Sequence, residues 1–204
     1  MATSTAPSTG HVVRLLDVWS EPSPPTALPL RGRMRPATVM TLLVLLLIAS
    51  IGGAAGVVLL WSQPTPGWWF SLIFTVMIGG LLFTLWFAYV GSIADGRLRA
   101  VARQRWADGA GRIHLESGTI RQRTVSTLED GRVDTFTLAV TISDGGTVNA
   151  VWHRPTARAA GLLQPQVPSA GAMVRVWRVA GAPAEWPLLI EAVDPSIVSE
   201  VPDM

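Results

Sequence analysis

"ATVMTLLVLLLIASIGGAAGVVLLW", residues 37–61, carries no charged side chain, and how it is read decides the architecture. A helix rises 1.5 Å per residue, so about 20 apolar residues cover a hydrocarbon layer roughly 30 Å thick. This run is long enough to span one. A second uncharged run, "WWFSLIFTVMIGGLLFTLWFAYVG", follows at residues 68–91, with only "SQPTPG" between them. The prolines of that linker stop one helix and turn the chain toward the next, because proline has no N–H to donate and clashes with the preceding turn. A two-helix transmembrane hairpin is therefore expected over residues 37–91. A cleaved signal peptide fits poorly, since its apolar core runs to only about 7–15 residues and no second span follows it directly.

The composition agrees. The chain has 204 residues, 49% of them hydrophobic, with a mean hydropathy of +0.38. It contains no cysteine, which excludes disulfides, thiolate metal sites and cysteine nucleophiles together. All 16 basic residues are arginine and the formal charge is only +2, too small to imply nucleic acid. The placement of the arginines is more informative. Arg31, Arg33 and Arg35 precede the first span, Arg97, Arg99, Arg103 and Arg105 follow the second, and the connecting loop has none. The excess of positive charge in cytoplasmic segments then puts both ends inside the cell, as a multi-pass protein of the cell membrane. Trp61, Trp68 and Trp69 would mark the outer interface, Trp86 and Tyr89 the inner one.

Outside the hairpin the pattern changes. Residues 1–36 are rich in Ser, Thr, Pro and Ala and read as a disordered cytoplasmic tail. One apolar island, Val12, Val13, Leu15, Leu16 and Trp19, interrupts it. Residues 92–110 read as a basic juxtamembrane helix, with Leu98, Val101, Ala102 and Trp106 at helical spacing and Arg97, Arg99, Arg103 and Arg105 at the membrane surface.

Residues 111–193 switch to a period of two. In "VDTFTLAVTIS", Phe136, Leu138, Val140 and Ile142 share one face against Thr135, Thr137, Ala139 and Thr141. Asp130-Gly131 and "DGG" at 144–146 suit tight turns, and Val148, Ala150 and Trp152 continue the alternation. "RIHLESGTIRQRTVS" reads as one or two strands broken at Gly118, and "MVRVWRVAGAPAEWPLLIEAV" (173–193) as a closing hairpin. Five or six antiparallel strands in so short a module hide their edges best as a barrel or sandwich, OB-like or SH3-like. Residues 194–204 read as an acidic tail.

The succession "SGTIRQR", "TFTLAVTISDGGTVNA" and "PSAGAMVRVWR" resembles a bacterial membrane-protein family of unknown function with a small β module beside transmembrane helices. The matching features are Gly118 and Ile120, then Asp144, Gly145, Thr147 and Val148, then Gly171, Val174 and Val176. The resemblance implies architecture and brings no catalytic residues with it; the bacterial inner membrane is the location expected from the spans and arginines.

Chemistry is sparse. His11, His114 and His153 lack metal-ligand spacing, no G-x-S-x-G elbow is present, and the "DGG" glycines lack a phosphate loop's lysine. No catalytic residue, cofactor or metal is expected, and no small-molecule substrate is evident. The spans hold small residues that let helices approach closely: Gly52, Gly53 and Gly56 in the first, Gly79 and Gly80 in the second. Trp177 and Trp186 are expected to pack as core or cap, with an exposed partner surface as the alternative. The leading expectation is a non-enzymatic membrane scaffold or accessory subunit, with a membrane protein or a second copy of itself as partner. The alternatives are an OB-like nucleic-acid module using Trp152, Trp177 and Arg175, and a hydrolase whose site, a histidine beside a carboxylate in a cleft, assembles only on folding.

Overall fold

The computed structural model describes residues 9–32, 34–63, 67–154 and 162–196. The chain divides into two compact units, Gly32–Arg97 on one hand and Met1–Arg31 with Leu98–Met204 on the other.

The first unit holds α1 (Pro36–Ser62) and most of α2 (Trp68–Asp108), both long and apolar enough to cross a membrane. Pro36 opens α1, where its missing N–H would have had no partner anyway. The two helices run antiparallel. Trp61 Nε1 donates to Thr75 Oγ1 (3.0 Å), Trp86 Nε1 to Ser50 Oγ (3.1 Å) and Tyr89 Oη to the Val39 carbonyl (3.5 Å). Hydroxyls within the helices bond back to the preceding turn, Ser50 to Leu46 O and Thr84 to Gly80 O, so these polar groups are satisfied without water. Trp86 therefore differs from its expected role as an end marker, since its indole meets the middle of α1. Large apolar side chains point outward, Ile51 at 71%, Phe83 at 71% and Phe87 at 74% exposure.

No break separates the second span from the juxtamembrane segment: α2 is one helix of 41 residues. The composition changes after residue 91, yet "SIADGRLRAVARQRWAD" has no proline and is rich in the strong helix formers Ala and Arg. The helix ends at Gly109, whose N–H reaches Arg105 O (3.1 Å).

The second unit is built on a closed six-stranded barrel. Its strands are β1 (His11–Leu16), β2 (Ile113–Thr127), β3 (Val133–Ile142), β4 (Thr147–His153), β5 (Met173–Val179) and β6 (Leu188–Val193), in the order β1-β4-β3-β2-β5-β6. The sequence pattern of β3 holds throughout: Phe136, Leu138, Val140 and Ile142 are buried, and Phe136 stacks on Trp152 at 5.3 Å between ring centroids. The turns close as their glycines require. Gly145 has φ +84°, a conformation costly for residues with a Cβ, and its N–H donates to Ile142 O.

Two expectations are corrected here. The described part of residues 1–36 is not all loose tail: His11–Leu16 pairs with β6 along its whole length, parallel, from His11↔Leu188 to Leu16↔Val193, while residues 1–8 lie outside the described residues. It also touches β4 at Val12↔Val151, again in parallel, so the barrel is mixed rather than antiparallel. Both faces of this strand find a core, Val13 inside the barrel and Val12 outside it. Nor does Gly118 interrupt a strand. β2 runs unbroken for 15 residues, pairing with β5 through Ile113–Thr119 and with β3 from Gly118 onward. A Cβ at Gly118 would lie 2.6 Å from Val140 Cγ1, so the glycine lets the strand pass between its two neighbours at the point of closest packing.

A second, smaller core covers the outside of β5, β6 and β1. Trp106, on the last turns of α2, is 1% exposed and packs with Trp177, Leu189, Val12 and Leu28, while its Nε1 donates to Pro25 O (3.1 Å). Asp194 is also buried and belongs to the barrel, not to an acidic tail, accepting from Gln166 Nε2 (2.9 Å) and from the Ser196 N–H and hydroxyl. Residues 197–204 lie outside the described residues.

Candidate functional site

The densest charge constellation of the barrel is written across β2 and β5. His114 and Arg178 face each other in register, and Glu116 lies two residues further along the same side of β2. Arg178 donates to Glu116 Oε1 through Nε (2.7 Å) and to Asp144 Oδ2 through Nη2 (3.0 Å); His114 Nε2 lies 2.7 Å from the same Glu116 oxygen. His114 Nδ1 and Glu116 Oε2 are buried without a partner among the described residues. The N–H of Gly146 on its Oδ1, and then Arg178, hold the Asp144 carboxyl below its ordinary range.

Beside this chain of charges a cavity of about 200 Å³ opens between the β3–β4 turn and the loop joining β5 to β6. Its walls are Ile142, Val148, Val176 and Leu188 with Trp186, and Asp144 and Arg178 stand at its edge. His11 fixes the loop: Nδ1 lies 2.9 Å from Asn149 O, and Nε2 lies 3.1 Å from both Ala184 O and Trp186 O. The histidine-carboxylate pair a hydrolase would need thus exists, but His114 is not among the residues lining the cavity. The hydroxyl there belongs to Thr147. The geometry provides an ion-pair network beside an apolar chamber.

The residues singled out from sequence separate. Trp177 is no partner surface: it is 3% exposed, and its Nε1 donates to Oε2 of the buried Glu191 (2.8 Å). Alternation alone put Trp177 on the outer face of β5 correctly; what it lacked was the layer that α2 and residues 17–31 lay over that face. Trp186 is half-buried at the cavity wall. Trp152 is inside the barrel and Arg175 donates to Ser20 O (2.7 Å) while lying over the Trp19 ring at 4.5 Å, so the stacking groups of the nucleic-acid reading are engaged elsewhere.

Of the five glycines, Gly53 alone among them packs between the helices, where a Cβ would meet Leu82 Cδ1 at 2.9 Å. Gly52, Gly56, Gly79 and Gly80 face open space, because they lie on other sides of their helices. The arginines divide similarly. At 100° per residue, Arg99 and Arg103 share one face of α2, with Arg97 and Arg105 on another. Arg97 and Arg105 are exposed; Arg103 donates through Nη2 to Leu30 O (3.3 Å) and Arg31 O (2.6 Å) and ties the N-terminal arm to the helix.

That arm brings Arg31 to the end of β4, where its Nε reaches Arg154 O (3.4 Å). His153 lies there as well. Burial, then the charges of Arg31 and Arg99, hold its imidazole below the ordinary value of 6.5, and Asp134 acts in the opposite sense. No motif announces this cluster, because its members come from the N-terminal arm, α2 and β4, far apart in sequence, and meet only on folding. Among the described residues no three His, Cys, Asp or Glu side chains gather as a metal site.

No protein-family model matches the chain, and no curated protein or solved structure is significantly similar to it.

Proposed function

We propose that the chain is a membrane-anchored scaffold or accessory subunit, non-enzymatic, whose helical pair crosses the bacterial inner membrane and whose barrel, of OB-like or SH3-like size, is presented on the cytoplasmic face to a protein partner. The observation that carries this reading is topological. β1 precedes α1, β2 follows α2, and both strands belong to one closed barrel. A chain that leaves the barrel and returns to it must cross a membrane an even number of times. The outward apolar side chains of the two helices support insertion, since patches of this extent are rare on soluble surfaces. The distribution of arginines supports the cytoplasmic side.

The last turns of α2 belong to the barrel's unit, where Trp106 is buried in the second core. Affinity purification of the full chain in mild detergent tests the partner: a reproducible membrane-protein partner, or a discrete homo-oligomer, is expected. Recovery solely as a monodisperse monomer would overturn the scaffold reading.

A further inference from the structure

We infer that Arg31, Arg99 and His153, with Arg103 and Arg154 behind them, form a site for the phosphate headgroup of an anionic lipid. It rests on the membrane reading above and deepens it. Three separated segments converge: the N-terminal arm, the last turns of α2 and the end of β4. The hydrogen bonds of Arg103 to Leu30 O and Arg31 O fix the arm against α2, and Arg31 in turn reaches Arg154 O. Arg31 and Arg99 both act electrostatically on His153. Among the described residues the acids to weigh against them are Asp134, whose neighbour Thr135 pairs with His153, and Asp95, one helical turn before Arg99. Arg31, Arg99 and Arg103 against Asp134 and Asp95 leave an excess of positive charge even with the imidazole neutral.

Guanidinium groups match phosphate oxygens in geometry as well as charge. Arg99 follows the uncharged run of residues 68–91 in the sequence, so it lies outside the stretch that would meet acyl chains. A bound phosphate would reverse the balance at His153. It offsets the two guanidinium charges that disfavour the imidazolium, so anion binding and proton uptake are coupled.

The test uses the full chain in nanodiscs of phosphatidylcholine alone and with added phosphatidylglycerol, native mass spectrometry counting retained lipid. Preference for phosphatidylglycerol is expected, falling about fivefold for each of Arg31→Gln and Arg99→Gln. Arg99→Lys should keep most of it, and Arg105→Gln, on the other face of the helix, should leave it unchanged. Affinity for phosphatidylglycerol should rise as pH falls below about 6.5, and His153→Gln should abolish that dependence while keeping the preference. Equal retention of both lipids, or loss of preference in Arg105→Gln equal to that in Arg99→Gln, overturns the site. Soluble glycerol phosphate competing at the same concentrations as the lipid overturns the lipid as the source. Washing membranes with alkaline carbonate separates the two readings: a protein that stays in the pellet but shows no lipid preference defeats the headgroup site and leaves the anchor standing.

Discussion

Trp106 concentrates more of the architecture than any other single side chain. It is nearly fully buried, donates to Pro25 O, and packs with Trp177 and Leu189, so it holds the arm, the helix end and the barrel wall together. Trp106→Ala should cost about 3–5 kcal/mol in the barrel, read as a lower denaturation midpoint by tryptophan fluorescence, with the helicity of the spans retained. A midpoint unchanged from the parent chain would show that the second core contributes little. His153 makes a different prediction, about pH. Its folded-state value is lowered, so the fold favours the neutral ring. The stability this carries is present above about pH 6.5 and is lost as pH falls through the lowered value, because the unfolded chain then binds the proton that the folded chain resists. In zwitterionic detergent the midpoint of the parent should drop more between pH 7.5 and 5 than that of His153→Gln. Equal drops in the two proteins would remove His153 from the account. Trp177 shows how far sequence reached at this scale. Its face was legible from alternation against Val174 and Val176, and its packing as core or cap was expected, but not what covers it, since nothing in "MVRVWRV" encodes a helix end arriving from seventy residues upstream.

At the scale of elements, the legible ones carried their own period or length. β3 alternates over ten residues and its two turns have Asp-Gly pairs, and each apolar helix announces itself by uninterrupted hydropathy. β1 did neither. It has six residues, both faces apolar at Val12 and Val13, in a segment of Ser and Pro, and its partner β6 lies more than 170 residues away. Period-two patterning needs one polar face to be visible, and in β1 only Arg14 is exposed. Because β1 bridges β4 and β6, its removal leaves two unpaired edges and uncovers Ile190 and Ala192. Replacing Val13 by Asp should therefore open the barrel, seen as fast amide exchange in β4 and β6. The same substitution at exposed Val18 should leave exchange unchanged. In the helical pair, Gly53→Leu should weaken the packing of α1 on α2, since Leu82 already occupies that space, whereas Gly52→Leu points into open surroundings and should be tolerated within the pair.

For the whole molecule, the decisive consequence is that one barrel is sewn from both ends of a helical pair. The arginine count and barrel closure are independent arguments, one about the translocation of charge and the other about chain connectivity, and both support the proposal that residues before α1 and after α2 lie on one side. The chain has no cysteine, so single cysteines report on this without a background. Glu21 and Ser126 are exposed on the barrel unit, and Gln63 is exposed just past the end of α1. In intact cells a membrane-impermeant maleimide should label Gln63→Cys and leave Glu21→Cys and Ser126→Cys untouched; after permeabilisation all three should react. Labelling of both barrel positions but not Gln63 would keep the even crossing and reverse the orientation, which sets aside the arginine argument alone. Labelling of Glu21→Cys without Ser126→Cys, or the reverse, would put β1 and β2 on opposite sides of the membrane. Six strands that must close around Val13, Phe136 and Ile190 cannot form in that arrangement.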